Sequence, residues 1–351
     1  MYPLKNMLIL APSFRSSGGV STYVQALKGN WSVAEQYFFR GSGNSGKLMR
    51  PLMMLKEYFA FLFKCMTGNK TVLVNTSMDR KAHIRDSIFI LIAFLFRKRI
   101  FVFIHGWDQE YYGSRVQSQL SLLFKARKIF VLSNEFKREL LRRGYKGNVI
   151  VETTVVENEF MDYYPTPKYA TGPNKRFLYL ARLEKEKGVL LAIEAFQQLA
   201  ARYKNIQLDI AGFGSQEEAV KAAIAATGLK QINYHGLVKG NRKAELFRQS
   251  DIYLLPTSHG EGMPISVLEA MAAGLAVITT SAGALNDFFK DGEMGYKIAT
   301  ASTESLVQKM EEAIKPGNKV EQIGAFNHAY ARNHFTVAKV ISRLEKEILH
   351  S

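Results

Sequence analysis

Short β-rich runs alternate with longer helical segments along this chain; the alternation stops at a proline- and glycine-rich break and then starts again. In the first series, Met7–Ala11, Thr71–Asn75, Ile100–His105 and Lys128–Leu132 read as strands. A helix from about Val20 and helices over Pro51–Met66, Ala82–Phe96 and Asn134–Arg143 accompany them. Such alternation predicts a parallel sheet with helices on both faces. The break, Glu157–Lys175, holds Pro165, Pro167, Gly172 and Pro173 and reads as a linker. Beyond it, strands at Phe177–Tyr179, Ile206–Ala211, Ile232–His235, Ile252–Pro256 and Ala276–Thr279 alternate with helices over Gly188–Tyr203, Glu217–Thr227, Arg242–Gln249 and Pro264–Ala273. A chain of 351 residues exceeds one usual core. The expected fold is α/β, with two doubly wound Rossmann-like domains over residues 1–165 and 166–334. A last helix, about 335–351, is expected to pack back onto the first domain.

Charge narrows the partners. The net charge is +16, and residues 1–165 carry 24 Lys/Arg against 12 Asp/Glu, a net of +12. Such a bias attracts phosphates, anionic lipid or nucleic acid. Nucleic acid is not expected, because no interleaved aromatic and basic motif accompanies the charge. The single cysteine, Cys65, excludes an internal disulfide and fits a reducing compartment. Met7–Leu10 stops at Pro12, too soon for a secretory apolar region. Ser87–Phe96, the longest uncharged apolar stretch, ends at Arg97-Lys98-Arg99, well short of the roughly 20 residues that cross a bilayer. The expected location is cytoplasmic.

Four segments carry candidate chemistry. In Leu255–Gly274 a buried strand ends in a polar loop holding Gly260, Glu261, Gly262 and Met263, and Pro264 opens a helix. Open α/β sheets bind ligands at this carboxyl edge, where a helix start offers free N–H groups to an anion. Glu269 sits five residues along that helix among Val267, Leu268, Ala270, Met271 and Ala272. There a carboxylate can accept hydrogen bonds from ribose hydroxyls; the plainer alternative is a solvent-facing glutamate. Arg182 and Lys187, in a strand-to-helix loop ending at Gly188, suit a diphosphate. No Asp-x-Asp pattern for a divalent metal is seen, so paired cations are the expected device, with no metal and no cofactor. The adjacent Gly18 and Gly19 join the opening strand to its helix, either to free N–H groups for phosphate or sugar or as a plain tight turn. His105, beside Gly106 at a strand end, is placed to meet a sugar hydroxyl or to serve the loop alone. The remaining histidines show no metal-ligand spacing.

In this order, Gly18-Gly19, His105-Gly106, Arg182…Lys187-Gly188, Gly212-Phe213-Gly214, His235-Gly236 and the Glu261–Glu269 pair make the chain resemble glycosyltransferase family 4. Phe288–Gly295 resembles the region following that family's donor site. The resemblance implies the GT-B fold, two Rossmann-like domains facing across a cleft, with the first on the acceptor side and the second binding a UDP- or GDP-linked sugar. It implies that Glu269 holds the donor ribose and that Glu261 lies beside the donor sugar and phosphate. The Gly262 and Met263 backbone would hold sugar hydroxyls, and Arg182 and Lys187 would stabilise the departing diphosphate. Gly19 would approach phosphate, His105 the transferred sugar, and the Gly236–Val238 backbone the base, with Gly212 and Gly214 in the same donor region. Reaction with retention, without a protein nucleophile, follows from the same resemblance. Two departures are visible: Thr153–Asn158 lacks the Asn-Gly turn often found before the linker, and His259-Gly260 stands before Glu261 where that family frequently has two larger or aromatic residues.

Arg50–Met66 is rich in large apolar residues, interrupted by Lys56 and Lys64. It reads equally as a helix buried against the sheet or as a surface docking on an anionic membrane, where a polyprenyl-diphosphate-linked saccharide would be the acceptor. Rival functions are a nucleotide-sugar epimerase, for which no acid/base set is found, and a catalytically inactive nucleotide-sugar-binding subunit.

Overall fold

The computed structural model describes residues 6–16, 18–41, 49–68, 70–107, 122–167, 174–258, 262–299, 301–317 and 319–349. The chain divides into two compact units, Met1–Thr154 with Val337–Ser351, and Val155–Thr336.

The first unit runs β1 (Met7–Pro12), α1 (Gly19–Leu27), β2 (Glu35–Arg40), α2 (Arg50–Met66), β3 (Thr71–Met78), α3 (Arg80–Leu95), β4 (Arg99–Trp107), β5 (Lys128–Val131), α4 (Asn134–Arg142) and β6 (Asn148–Val151). Its strands pair in parallel in the order β2-β1-β3-β4-β5-β6, with Met7 opposite both Glu35 and Thr71. The central strands are buried on both faces and read as continuous apolar runs for that reason. Helix starts are set by side chains: Asp79 accepts the Lys81 and Ala82 N–H groups at 3.0 and 2.9 Å, and Ser133 accepts Phe136 N–H at 3.1 Å.

The second unit holds α5 (Asn158–Tyr163), β7 (Lys175–Leu180), α6 (Val189–Arg202), β8 (Ile206–Ala211), α7 (Glu217–Thr227), β9 (Ile232–Tyr234), α8 (Gly240–Gln249), β10 (Ile252–Leu255), α9 (Ile265–Ala272), β11 (Ala276–Thr280), α10 (Leu285–Phe288), β12 (Gly295–Ile298), α11 (Thr303–Ile314) and α12 (Val320–His334). Its parallel sheet has the order β12-β11-β10-β7-β8-β9. Each unit is a doubly wound, Rossmann-like domain.

The division falls at Thr154 rather than at residue 165. The break contains α5, and α5 packs into the second unit. Phe160 meets Phe247 edge-on at 5.4 Å, Tyr163 Oη donates to Glu245 Oε2 at 2.8 Å, and Arg332 donates to the Tyr164 carbonyl at 2.7 Å. The last helix, α13 (Val337–Leu349), lies in the first unit. Val340, Leu344 and Ile348 are buried, Arg343 forks onto Glu152 at 2.5–3.0 Å, and Lys128 pairs with Glu347 at 2.7 Å.

Candidate functional site

In an open α/β sheet the ligand crevice lies outside the carboxyl ends of the strands, where the strand order reverses. In the second unit that point lies between β7 and β10, the strands that feed the Arg182–Lys187 and Pro256–Pro264 segments. The structure brings these loops together. The Glu186 carbonyl accepts Ser258 N–H at 2.8 Å and Thr257 Oγ1–H at 3.1 Å, and Thr280 Oγ1 donates to the Thr257 carbonyl at 2.7 Å. Tyr253 Oη on β10 donates to the Leu180 carbonyl at the end of β7 at 2.7 Å.

A second clamp comes from the loop after β8. Leu183 N–H donates to the Phe213 carbonyl at 2.9 Å, and Gln216 N–H to the Leu183 carbonyl at 2.8 Å. A Cβ at Gly212 would lie 2.0 Å from the Ala181 carbonyl oxygen, and one at Gly188 2.3 Å from that of Pro256. Glycine is therefore required there by the neighbouring chain, whatever ligand binds. Gly214 stands against Leu183 in the same way. Held between these loops, Arg182 is exposed and Lys187 half-buried. Among the described residues, helices α6 and α9 both start at this edge with no acidic residue in the first turn and no capping side chain. Their positive ends are left for an anion.

Glu269 is 4% exposed, which excludes the solvent-facing alternative. Its Oε1 is 2.6 Å from Lys243 Nζ, and that ammonium also lies 5.2 Å from the Phe160 ring centroid. Burial pushes the Glu269 carboxyl up, and the Lys243 charge opposes it. Met263 is buried, and the Gly262 carbonyl accepts Ala284 N–H at 3.1 Å. The Gly236 carbonyl accepts Gly212 N–H at 2.8 Å, His235 Nε2 lies 2.7 Å from Asp209 Oδ1, and Val238 is buried. Gly260 and Glu261 lie outside the described residues. A polar cavity of about 420 Å³, lined by Arg176, Lys204 and Asp251 among others, opens at the amino edge of this sheet, away from the switch point.

In the first unit the order reverses between β1 and β3. Gly18 and Gly19 start α1 there, with no capping side chain and no acidic residue in the first turn, and Ser21 Oγ closes the loop by donating to the Ser13 carbonyl at 2.8 Å. His105 stands near the carboxyl end of β4 with Nε2 3.0 Å from Asn75 Oδ1. Asn75 spends its amide N–H on the Leu10 carbonyl at 3.4 Å, so its oxygen faces the histidine and Nε2 carries the proton. The ring stacks on Phe103 at 4.3 Å and leans on Tyr23 at 4.8 Å. Burial among these rings, with Arg40 adding to it, pushes the imidazole down to about 3. His105 is thus neutral at physiological pH, with Nδ1 as a hydroxyl acceptor.

Beneath it lies a buried charge network. Arg40 Nε is 2.8 Å from Asp86 Oδ1, Arg40 Nη2 donates to the Asn75 carbonyl at 2.7 Å, and Thr76 Oγ1 donates to Asp86 Oδ2 at 2.5 Å. Arg85 shares the same carboxylate at 2.8 Å. Sequence reasoning did not find Asn75, Arg40, Asp86 or Lys243. No local spacing signals them: apart from Arg85 beside Asp86, their partners lie on other elements. Among the described residues no three His, Cys, Asp or Glu side chains gather as a metal-ligand set.

Residues 167–329 match the family model described as glycosyl transferases group 1. The chain is 24% identical to the Salmonella typhimurium lipopolysaccharide 1,2-N-acetylglucosaminetransferase over 63% of its own length and 56% of that protein. It is 29% identical to the Mycobacterium tuberculosis phosphatidyl-myo-inositol mannosyltransferase over 50% of its length and 48% of that protein. The chain thus spans about half the length of these curated relatives. Among solved structures, Anabaena Alr3699/HepE in complex with UDP and glucose superposes with a TM-score of 0.74 at 15% identity, covering 99% of this chain and 100% of that one. This likeness shows the fold, the two Rossmann-like domains of GT-B proteins.

Proposed function

We propose that this chain is a retaining glycosyltransferase that moves a hexose-type sugar from a UDP- or GDP-linked donor to a saccharide acceptor in polysaccharide or cell-surface glycan synthesis. One observation carries the reading. The matched residues, 167–329, take in the switch point where the Arg182–Lys187 loop and the 256–258 loop are hydrogen-bonded together. The relatives' names support sugar transfer to lipopolysaccharide and to phosphatidylinositol, and the solved neighbour holds UDP and glucose.

In this reading the bond from the anomeric carbon to the diphosphate oxygen breaks while the acceptor hydroxyl attacks from the same face. The leaving phosphate oxygen takes the acceptor proton, and no protein nucleophile takes part. Arg182 and Lys187 neutralise the charge growing on the diphosphate, helped by the open starts of α6 and α9. Glu269, held by Lys243, binds the ribose. Glu261 and the Gly260–Met263 backbone address the sugar, and the Gly236–Val238 backbone addresses the base. Gly212 and Gly214 hold the Arg182 loop in place. The first unit is the acceptor side, where the Gly18-Gly19 turn offers free N–H groups and neutral His105 accepts from a sugar hydroxyl. Because side-chain cations meet the diphosphate, the reaction requires no metal and survives chelation. The acceptor is carried on a polyprenyl diphosphate, and the enzyme works as a peripheral protein on the cytoplasmic face of an anionic membrane.

The test is incubation of labelled UDP- and GDP-sugars with the protein, with and without a membrane-lipid acceptor extract, followed by NMR of the product's anomeric configuration. Nucleoside diphosphate released only with acceptor, and a retained anomer, are expected. Conversion of the donor to its epimer with the diphosphate still attached would sink the proposal.

A further inference from the structure

Helix α2 belongs to the core on one side and is exposed on the other. Phe61 and Cys65 are buried, and Phe61 meets Phe89 of α3 edge-on at 5.0 Å. Yet Met49, Leu52, Leu55, Phe59, Phe63 and Met66, at and along the same helix, are each 53–70% exposed. Steps of three and four residues place them in a single stripe. Tyr58 also lies against Arg85 and Phe89 of α3. At the carboxyl end of α3, Phe94 and Leu95 are also exposed, at 44% and 68%, and Lys125 Nζ lies 4.9 Å from the Phe94 ring centroid. An exposed apolar stripe along a helix marks an interaction site.

Charge selects the occupant. Arg50, Lys56, Lys64, Lys70 and Arg97 are all exposed around the stripe. The one carboxylate between residues 49 and 70 is Glu57, and it accepts Gly41 N–H at 2.8 Å. A second copy of the chain, docked stripe to stripe, would bring like charges together without compensation. An anionic bilayer takes both parts: apolar side chains enter the boundary of the acyl region, and the cations meet lipid phosphates. At 17 residues with internal lysines, α2 lies on a membrane rather than across it, and no helix among the described residues is long and apolar enough to cross one.

We propose that the exposed stripe of α2 is an in-plane anchor that docks the first unit on an anionic bilayer. This deepens the lipid-linked acceptor reading and rests on it for its biological use, but it is tested without donor or acceptor.

The experiment is flotation of the full chain with phosphatidylcholine vesicles and with vesicles containing phosphatidylglycerol, at low and at high salt. The wild type is expected to float with the anionic vesicles, more at low salt. Phe59→Ser/Phe63→Ser should weaken partitioning at least about ten-fold at both salt concentrations. Lys56→Glu/Lys64→Glu should weaken it mainly at low salt. Circular dichroism and thermal midpoint, unchanged in both variants, show that folding is intact. No flotation of the wild type, or equal flotation of the phenylalanine variant, overturns the proposal. So does a dimer in vesicle-free sedimentation that the phenylalanine variant dissociates, because the stripe would then belong to a second copy. UDP and GDP binding by calorimetry tests the transferase reading separately, so either can fail alone.

Discussion

The two carboxyl edges serve comparable sheets and are built differently. In the second unit, loops are clamped backbone to backbone, with glycine where chains approach closely, and the cation Arg182 is left exposed above them. In the first unit the edge rests on side chains: Arg40, Asn75, Thr76 and Asp86 form a buried network under His105. Backbone clamps hold the loop without using the Arg182 side chain, which stays exposed. Above the side-chain network, burial against Phe103 and Tyr23 keeps the imidazole neutral, with the Arg40 charge adding to it.

This contrast is open to attack at several points. The largest effect is expected from Asp86→Ala, which leaves the buried guanidinium of Arg40 without its carboxylate. It should cost about 3–5 kcal/mol of stability in urea denaturation; a loss below about 1 kcal/mol would remove the argument that side chains support this edge. Arg182→Ala should do the reverse. Turnover should fall about 10²–10³-fold in the diphosphate-release assay, while stability stays within about 0.5 kcal/mol, because the side chain is exposed.

Gly212→Ala tests the backbone clamp. Its Cβ would press on the Ala181 carbonyl, so a loss of about 1–3 kcal/mol is expected, with turnover falling as the Arg182 loop shifts. A neutral outcome would mean that the loops move independently. Glu269→Gln removes the charge but keeps the shape; donor affinity by calorimetry should weaken roughly ten-fold, the scale of one charge-assisted hydrogen bond.

A further effect concerns pH. The folded chain holds His105 down at about 3, whereas an unfolded histidine titrates near its usual value of about 6.5. Above that value both states are neutral and stability is full. As pH falls below it the unfolded chain takes up a proton that the folded one refuses, so stability drops steadily toward pH 3. Denaturation at pH 7.5 and pH 5 should show this slope in the wild type and a shallower one in His105→Gln.

Much of the fold was legible because strands buried on both faces are continuous apolar runs. Met7–Leu10 and Ile252–Leu255 announce themselves without any partner. The strands that escaped notice, β2, β6 and β12, are each at a sheet edge. An edge strand needs less apolar sequence because a single neighbour satisfies it. Helix α5 was hidden in the break for a related reason: its six residues bury little by themselves and fold against Phe247 and Glu245.

At the candidate site, sequence pointed to Arg182, Lys187, Glu269 and His105 because their residue types sit where a strand gives way to a helix or within that helix. It gave no sign of Lys243 or Asn75.

By itself the sequence determined two alternating α/β halves, the carboxyl-edge loops and the basic first half, since periodicity, glycine placement and charge are local properties. Tertiary structure alone decided which side chain neutralises Glu269, what keeps His105 uncharged, and which face of α2 is left in water. Those outcomes depend on burial and on partners far apart in the chain, which no local pattern encodes.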